Sequence, residues 1–168
     1  MCFKGHHRDK LCITYKAEDD GFQADALCDD GYFYQVYMRN DPAPNKYLKP
    51  GLSPLHSQTM ALFDSLKEDH YQVGMNNLYN SSDFCRAAYH HDRKVLCHVV
   101  ARKSGRGIPE CVLQGENNNP VAQREAPGTV KAAVLEGYPG CPNIIASRVY
   151  DTKPVHYLSM VSESMQWV

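Results

Sequence analysis

Hydrophobic and polar positions alternate over the first part of the chain, which predicts a β-rich beginning. Residues 10–15, with the sequence KLCITY, alternate in this way, and the β-rich segments GFQADALC and YFYQVYM follow at 21–28 and 32–38. The Asp-Asp-Gly sequence between the last two segments is typical of a tight hairpin turn. We therefore expect a strand, then a β-hairpin, and then an irregular connection over 40–54, where Pro, Gly and Asn are frequent.

A helical period replaces the alternation in residues 54–69. Apolar side chains recur there at roughly helical spacing, at Leu55, Met60, Leu62, Phe63 and Leu66. Ser53 lies immediately before this segment as an N-cap residue, and Pro54 takes the first helical position, where the missing N–H costs nothing. The pattern predicts an amphipathic helix over 54–69.

Short apolar runs separated by turn signals continue through the second half of the chain. The sequence predicts a second helix over 82–91, capped by Ser81 or Ser82, and strands at 70–75, 94–102, 129–137, 143–151 and 155–161. The order of these elements indicates a mixed α/β sheet covered by helices. On pattern alone it suits an RNase H-like arrangement, and a generic α+β domain is the alternative.

Length and charge add only broad limits to this picture. The 168 residues fit one domain of common size, and the formal net charge of −1 gives no global preference for nucleic acid, so any such role rests on local basic patches. No stretch approaches the length of a membrane span, and the polar first residues lack the apolar core of a secretory signal. We expect no membrane partner and a location inside the cell.

Cysteine, histidine and aspartate residues do not form a recognisable metal motif. The seven cysteines are irregularly spaced without a CxxC motif, and some, such as Cys97 in an apolar run, are expected to be buried thiols. The adjacent histidines at 6–7 and 90–91 point their rings apart, and no HxxxH or HxH spacing occurs. Asp25, Asp29 and Asp30 could bind a cation, but the hairpin turn accounts for the last two and the solvent face of its strand for Asp25.

Two local groups of basic residues are candidates for phosphate contacts. Arg102, Lys103 and Arg106 lie around two glycines directly after a predicted strand, where exposed backbone amides and cations suit a phosphate backbone. Lys4, Arg8 and Lys10 form a second candidate near the start of the chain. A solvated turn is the alternative explanation of the first group.

The junction between the strand at 70–75 and the next helix is a third candidate. A hydrolytic or DNA-cutting enzyme usually holds a carboxylate where a strand runs into a turn and a helix. Here the strand ends on two neutral amides, Asn76 and Asn77.

Five segments, in register along the chain, together resemble the piggyBac transposase family, specifically its DDE catalytic domain. FKGHHRDK at 3–10 is similar to the family's FKGR segment, and 21–40 is similar to its GIKxW…GYxxxxxVYTG hairpin. The remaining three are VGMNNLYNS at 73–81, VVARKSGRGIP at 99–109 and YDTKPVHYLSMV at 150–161, which are similar to FDNFFTS, to GTxRxNRKGLP and to a strand pair ending in VxxLST. The order and spacing of the five segments agree with those of the family over essentially the whole chain. The residues within the segments are typical of a divergent branch of the family.

The resemblance implies an RNase H-like mixed β-sheet flanked by helices, incomplete at both ends and with additional C-terminal strands. Residues 1–168 would then be a fragment of the catalytic domain. Active family members use three aspartates and Mg²⁺, with clustered carboxylates holding two cations for strand transfer. The first and third aspartates are expected outside the chain, before Phe3 and after the strand at 155–161. The second corresponds to Asn76, and Asn77 matches the family's own Asn.

An amide offers one neutral oxygen and no charge, so the resemblance predicts no intact catalytic residue and no cofactor. We expect a nuclear, catalytically inactive remnant of a cut-and-paste transposase. Without the family's first strand it should be marginally stable or prone to aggregation, unless the sheet re-pairs or a partner supplies that strand. The alternatives are a DNA-binding or protein-interaction module without chemistry and an unrelated Cys/His enzyme or metalloprotein. DNA is the expected partner, and the sequence leaves the oligomeric state open. The residues predicted to contact DNA are Arg102, Lys103, Arg106, Lys4 and Arg8.

Overall fold

Residue contacts divide the chain into two units, residues 1–67 and 68–168. The computed structural model describes residues 7–8, 10–12, 20–39, 41–42, 45–48, 51–79, 81–105, 107–113, 126–136 and 139–160. Strands and helices occur in both units, so the fold is mixed α/β, as the sequence predicts.

Two antiparallel strand pairs form the β-structure described in the first unit. Strand β1 (Leu11–Cys12) pairs with β2 (Asp20–Gly21), and β3 (Ala24–Asp29) pairs with β4 (Tyr32–Met38). Asp30 and Gly31 join β3 to β4 with φ angles of 43° and 79°. Two positive φ angles are the geometry that Asp-Gly favours in a two-residue hairpin, so the predicted hairpin is confirmed.

Helix α1 (Pro54–Leu62) packs on this hairpin. The Ser53 hydroxyl oxygen accepts a hydrogen bond from the His56 N–H at 3.2 Å, which confirms the predicted cap. The helix ends earlier than the predicted 54–69, because the chain tightens into a 3₁₀ turn at Phe63–Ser65. There the Ser65 hydroxyl donates to the Leu62 carbonyl at 2.7 Å, and such side-chain bonds compete with helix propagation.

Polar and apolar contacts both anchor α1. The Ser57 hydroxyl donates to the Tyr47 carbonyl at 2.9 Å, in the preceding 3₁₀ turn Asn45–Tyr47. Met60 of the helix and Phe63 of the 3₁₀ turn that follows it are fully buried. The helix therefore contributes apolar side chains to the core while its buried hydroxyl is paired with backbone.

A five-stranded sheet forms the centre of the second unit. Its order is β5-β6-β9-β8-β7, with β5 parallel to β6 and all other pairs antiparallel. The strands are β5 (Gln72–Met75), β6 (Leu96–Ala101), β7 (Val130–Leu135), β8 (Ile144–Tyr150) and β9 (Pro154–Ser159). The predicted strands of the second half are thus confirmed.

One face of this sheet carries the core of the unit. Val99, Leu158 and Ala146 lie side by side on neighbouring strands, and all three are fully buried. Helix α2 (Ser82–Tyr89) contacts β6, and the short α3 (Glu110–Leu113) contacts β7 and β8. The Ser81 hydroxyl oxygen accepts from the Phe84 N–H at 3.3 Å, which confirms the predicted cap of α2.

The described strands belong to three sheets rather than to the one mixed sheet that the element order predicts. Strand pairing joins residues far apart in the chain, and the local pattern contains no information on these partners. Within the described ranges, no helix is long and apolar enough to cross a membrane.

Candidate functional site

The amide pair Asn76–Asn77 and the basic turn that begins at Arg102 lie at the same end of the sheet, because each follows the carboxyl end of one of two parallel strands, β5 and β6. The two strands are parallel, with Met75 beside Val99, so both point the same way. Asn76 follows β5 directly, while β6 continues to Ala101 before Arg102. The 3₁₀ turn Asn77–Tyr79 contacts β6. Two of the sequence candidates therefore lie near each other.

The exposed Asn76 side chain shapes the turn after β5. Its Oδ1 accepts from the Leu78 N–H at 2.9 Å, and its backbone carbonyl accepts from the Tyr79 N–H at 3.3 Å. This is an Asx-type turn, which an aspartate forms as readily as an asparagine. The local fold therefore does not require an amide at this position.

The residues described around Asn76 do not fit a two-cation site. Its one side-chain oxygen is neutral and already accepts a backbone hydrogen bond. In the part of the chain that the structure describes, no group of three or more His, Cys, Asp or Glu side chains could hold a metal ion. The charge that a pair of Mg²⁺ ions needs is not supplied by these residues.

Asp25 lies inside the first unit, so the prediction that it occupies the solvent face of its strand is wrong. Its carboxylate accepts two hydrogen bonds from Arg39, at 3.1 Å from Nε and 2.9 Å from Nη2. The side chain is 3% exposed. Asp25 shares the inward face of β3 with Leu27, and the bidentate pair with arginine makes its burial possible.

The basic turn leaves β6 with its side chains exposed. Arg102 and Lys103 are exposed, and the Gly105 N–H donates to the Arg102 carbonyl at 2.8 Å, which closes the turn. Arg8 is exposed in the other unit. Lys4 and Arg106 lie outside the described residues.

The segment that follows the basic turn approaches α2 closely and accepts one hydrogen bond from β8. Gly107 has a φ of +95°, and a Cβ at this position would lie 2.5 Å from the Ser82 hydroxyl oxygen at the start of α2. Arg148 on β8 is 1% exposed and donates to the Leu113 carbonyl at 3.5 Å, at the end of α3. The sequence analysis placed Gly107 among the two glycines of the basic turn and assigned no role to Arg148, although an arginine within an apolar strand was a visible signal.

The titratable groups of the sheet have structural surroundings. His98 stacks on Tyr157 with ring centroids 5.4 Å apart, and its partial burial lowers its pKa. A side-chain hydrogen bond with Cys85, together with burial, raises the pKa of the Cys97 thiol. Cys97 is fully buried, as its apolar surroundings in the sequence predict, and its thiol holds its proton at neutral pH.

Two comparisons with known proteins indicate a transposase. A family model described as Transposase IS4 matches residues 1–167. Among solved structures, the chain is similar to the piggyBac transposase in a cryo-EM structure of its synaptic complex with hairpin DNA, with a TM-score of 0.71 and 17% identity. The match covers 96% of this chain and 31% of that one, so the chain spans about a third of its length. A search of the curated proteins gave no match.

Proposed function

The chain belongs to the IS4 transposase family and is similar in fold to the piggyBac transposase, and we propose that it is a transposase-derived domain that binds DNA without cutting it. The observation that supports the loss of chemistry is Asn76. We further infer that its five-stranded sheet is the RNase H-like sheet of such domains and that the protein acts in the nucleus.

Loss of cleavage follows from charge at a single position. The sequence resemblance aligns Asn76 with an aspartate that holds metal in active transposases. An amide cannot offset the charge of two divalent cations, and desolvating those cations without carboxylates is unfavourable. The exposed Asn76 side chain is engaged in its own turn, where its oxygen accepts from Leu78.

Retained DNA binding is supported by the basic turn. Arg102 and Lys103 are exposed at the end of a strand whose position the sheet fixes on both sides, by pairing with β5 and β9. Cations held in place at the end of this strand suit the regularly spaced charges of a DNA backbone. Such contacts position a duplex without reading its sequence, so we expect salt-sensitive binding with little sequence preference.

A cleavage assay tests the loss of chemistry. The purified chain is incubated with transposon-end DNA and Mg²⁺ or Mn²⁺, with active piggyBac transposase on its own ends as the positive control. We expect no nicks from the unmodified chain. Metal-dependent nicking by this chain, abolished when it is heat-denatured, would overturn the proposal of inactivity.

A binding assay tests the retained function separately. Arg102→Ala combined with Lys103→Ala should weaken binding to duplex DNA and reduce its dependence on salt. Failure of the unmodified chain to bind at low salt would overturn this half of the proposal and leave the cleavage result untouched.

A protein-interaction role is the second candidate, favoured by the exposed hairpin. Tyr32 and Phe33 are 69% and 63% exposed at its tip, and Val36 is 44% exposed further along β4. The tip also carries the exposed acidic residues Asp29 and Asp30, which would repel DNA. If this hairpin binds a protein, Phe33→Ser should abolish that interaction and leave DNA binding unchanged.

A further inference from the structure

We propose that Lys153, in the turn between β8 and β9, contacts DNA phosphates together with Arg102 and Lys103. This inference rests on the DNA-binding part of the proposed function and adds to it a cation from a distant part of the sequence. It comes from the strand register, which places the β8–β9 turn next to the exit of β6.

The pairing of β6 with β9 brings the two turns together. The strands are antiparallel, and Ala101, the last residue of β6, pairs with His156. The chain beyond Ala101 therefore runs toward the start of β9, whose first residue is Pro154. Neighbouring strands lie about 4.8 Å apart, so Lys153 and the basic turn occupy the same end of the sheet.

The turn presents Lys153 from a fixed backbone. Tyr150 pairs with Pro154 at the end of the β8–β9 ladder, and the Asp151 N–H donates to the Lys153 carbonyl at 3.4 Å. The Lys153 side chain is exposed. A cation on a short, sheet-supported turn loses little conformational freedom of the backbone when it meets a phosphate.

The net positive charge of the two turns at this end of the sheet favours an anionic partner. Arg102, Lys103 and Lys153 contribute three positive charges to the two turns, and Asp151 contributes one exposed negative charge. A DNA duplex carries a negative charge about every 1.7 Å along its axis, so separated cations at one end of the sheet can contact different phosphates. The same geometry predicts that Asp151 opposes binding.

Anisotropy titrations with a labelled duplex of about 20 base pairs, at about 50 to 200 mM NaCl, test this assignment. Lys153→Ala should lower the affinity and reduce the slope of log K against log salt by about 0.9, the value for one lost phosphate contact. Lys153→Arg should keep the affinity, and Asp151→Asn should raise it. Opposite effects from two residues of one turn would not result from a disturbed fold.

Arg93→Ala is the charge-matched control. Arg93 lies at the opposite end of the sheet, before β6, where it is paired with Asp69 at 3.7 Å. Its removal should leave the salt slope unchanged. A wild-type slope in Lys153→Ala, or an equal loss in Arg93→Ala, would overturn the inference while the proposed DNA binding stands. Absence of binding by the unmodified chain at low salt would overturn both.

Discussion

At position 76 the shape of the side chain and its charge can be separated by substitution. Asn76 Oδ1 accepts the Leu78 N–H at 2.9 Å, and a carboxylate oxygen can accept the same hydrogen bond. Asn76→Asp should therefore keep the free energy of unfolding within about 0.5 kcal/mol, whereas Asn76→Ala should lower it by about 1 kcal/mol. Urea denaturation measures both. A loss in the aspartate variant as large as in the alanine variant would show that this turn requires the amide.

Asp25 offers a second test at the residue scale, because its partner is held by two hydrogen bonds. Asp25→Ala leaves the Arg39 guanidinium, 24% exposed, without its carboxylate. We expect the free energy of unfolding to fall by about 2–3 kcal/mol, somewhat less than for a fully buried pair. The control is Asp20→Asn, which removes the charge of a carboxylate that is 41% exposed in its pair with Lys10, against 3% for Asp25, and it should cost much less. Equal losses in the two variants would contradict the importance of burial.

At the scale of elements, local signals predicted where structure begins better than where it ends. The Ser53 cap and the Asp30-Gly31 turn act within three residues, so the sequence identifies both. The end of α1 depends on the 3₁₀ turn at Phe63–Ser65, which the apolar spacing does not distinguish from a further helical turn. The inward face of Asp25 depends on a partner at position 39, outside the pattern of its own strand.

Gly107 follows the basic turn and approaches the start of α2 at a point where a side chain has no space. A Cβ would lie 2.5 Å from Ser82 Oγ, and the φ of +95° adds backbone strain. Gly107→Ala should lower the free energy of unfolding by about 2–3 kcal/mol and weaken DNA binding, because the added methyl group forces the adjacent basic turn away from α2. Gly140→Ala is the matched control: its φ is +74°, and nothing lies within 4 Å of the added Cβ. It should cost about 1 kcal/mol, and an equal loss at both glycines would contradict the steric argument.

At the scale of the whole chain, the local sequence pattern predicted the individual strands but not their order in the sheet, and the fold family came from the resemblance to known transposases. Each strand of the second unit was predictable from its apolar residues, but its neighbours in the order β5-β6-β9-β8-β7 were not. Consequently the sequence identified Asn76 and the basic turn, which each occupy one continuous segment. It did not associate Lys153 with that turn, because their proximity exists only through the pairing of Ala101 with His156.

The stability of the second unit should fall in alkaline solution because of its buried thiol. The hydrogen bond with Cys85 and burial raise the pKa of Cys97 well above its ordinary value of 9.0. Above that pH the unfolded chain has lost this proton while the folded chain retains it, so the unfolded state binds fewer protons and the free energy of unfolding decreases as pH rises.

Cys97→Ala should make this decrease shallower, whereas Cys111→Ala, which removes an exposed thiol, should not. Urea denaturation at a series of pH values from about 8 to 10 measures the free energy of unfolding of each variant and of the unmodified chain. The contributions of the other titrating groups cancel in the difference between the two values. A Cys97→Ala curve parallel to that of the unmodified chain would contradict the prediction. Iodoacetamide provides an independent check, since it should modify Cys111 in the folded protein and Cys97 only after unfolding.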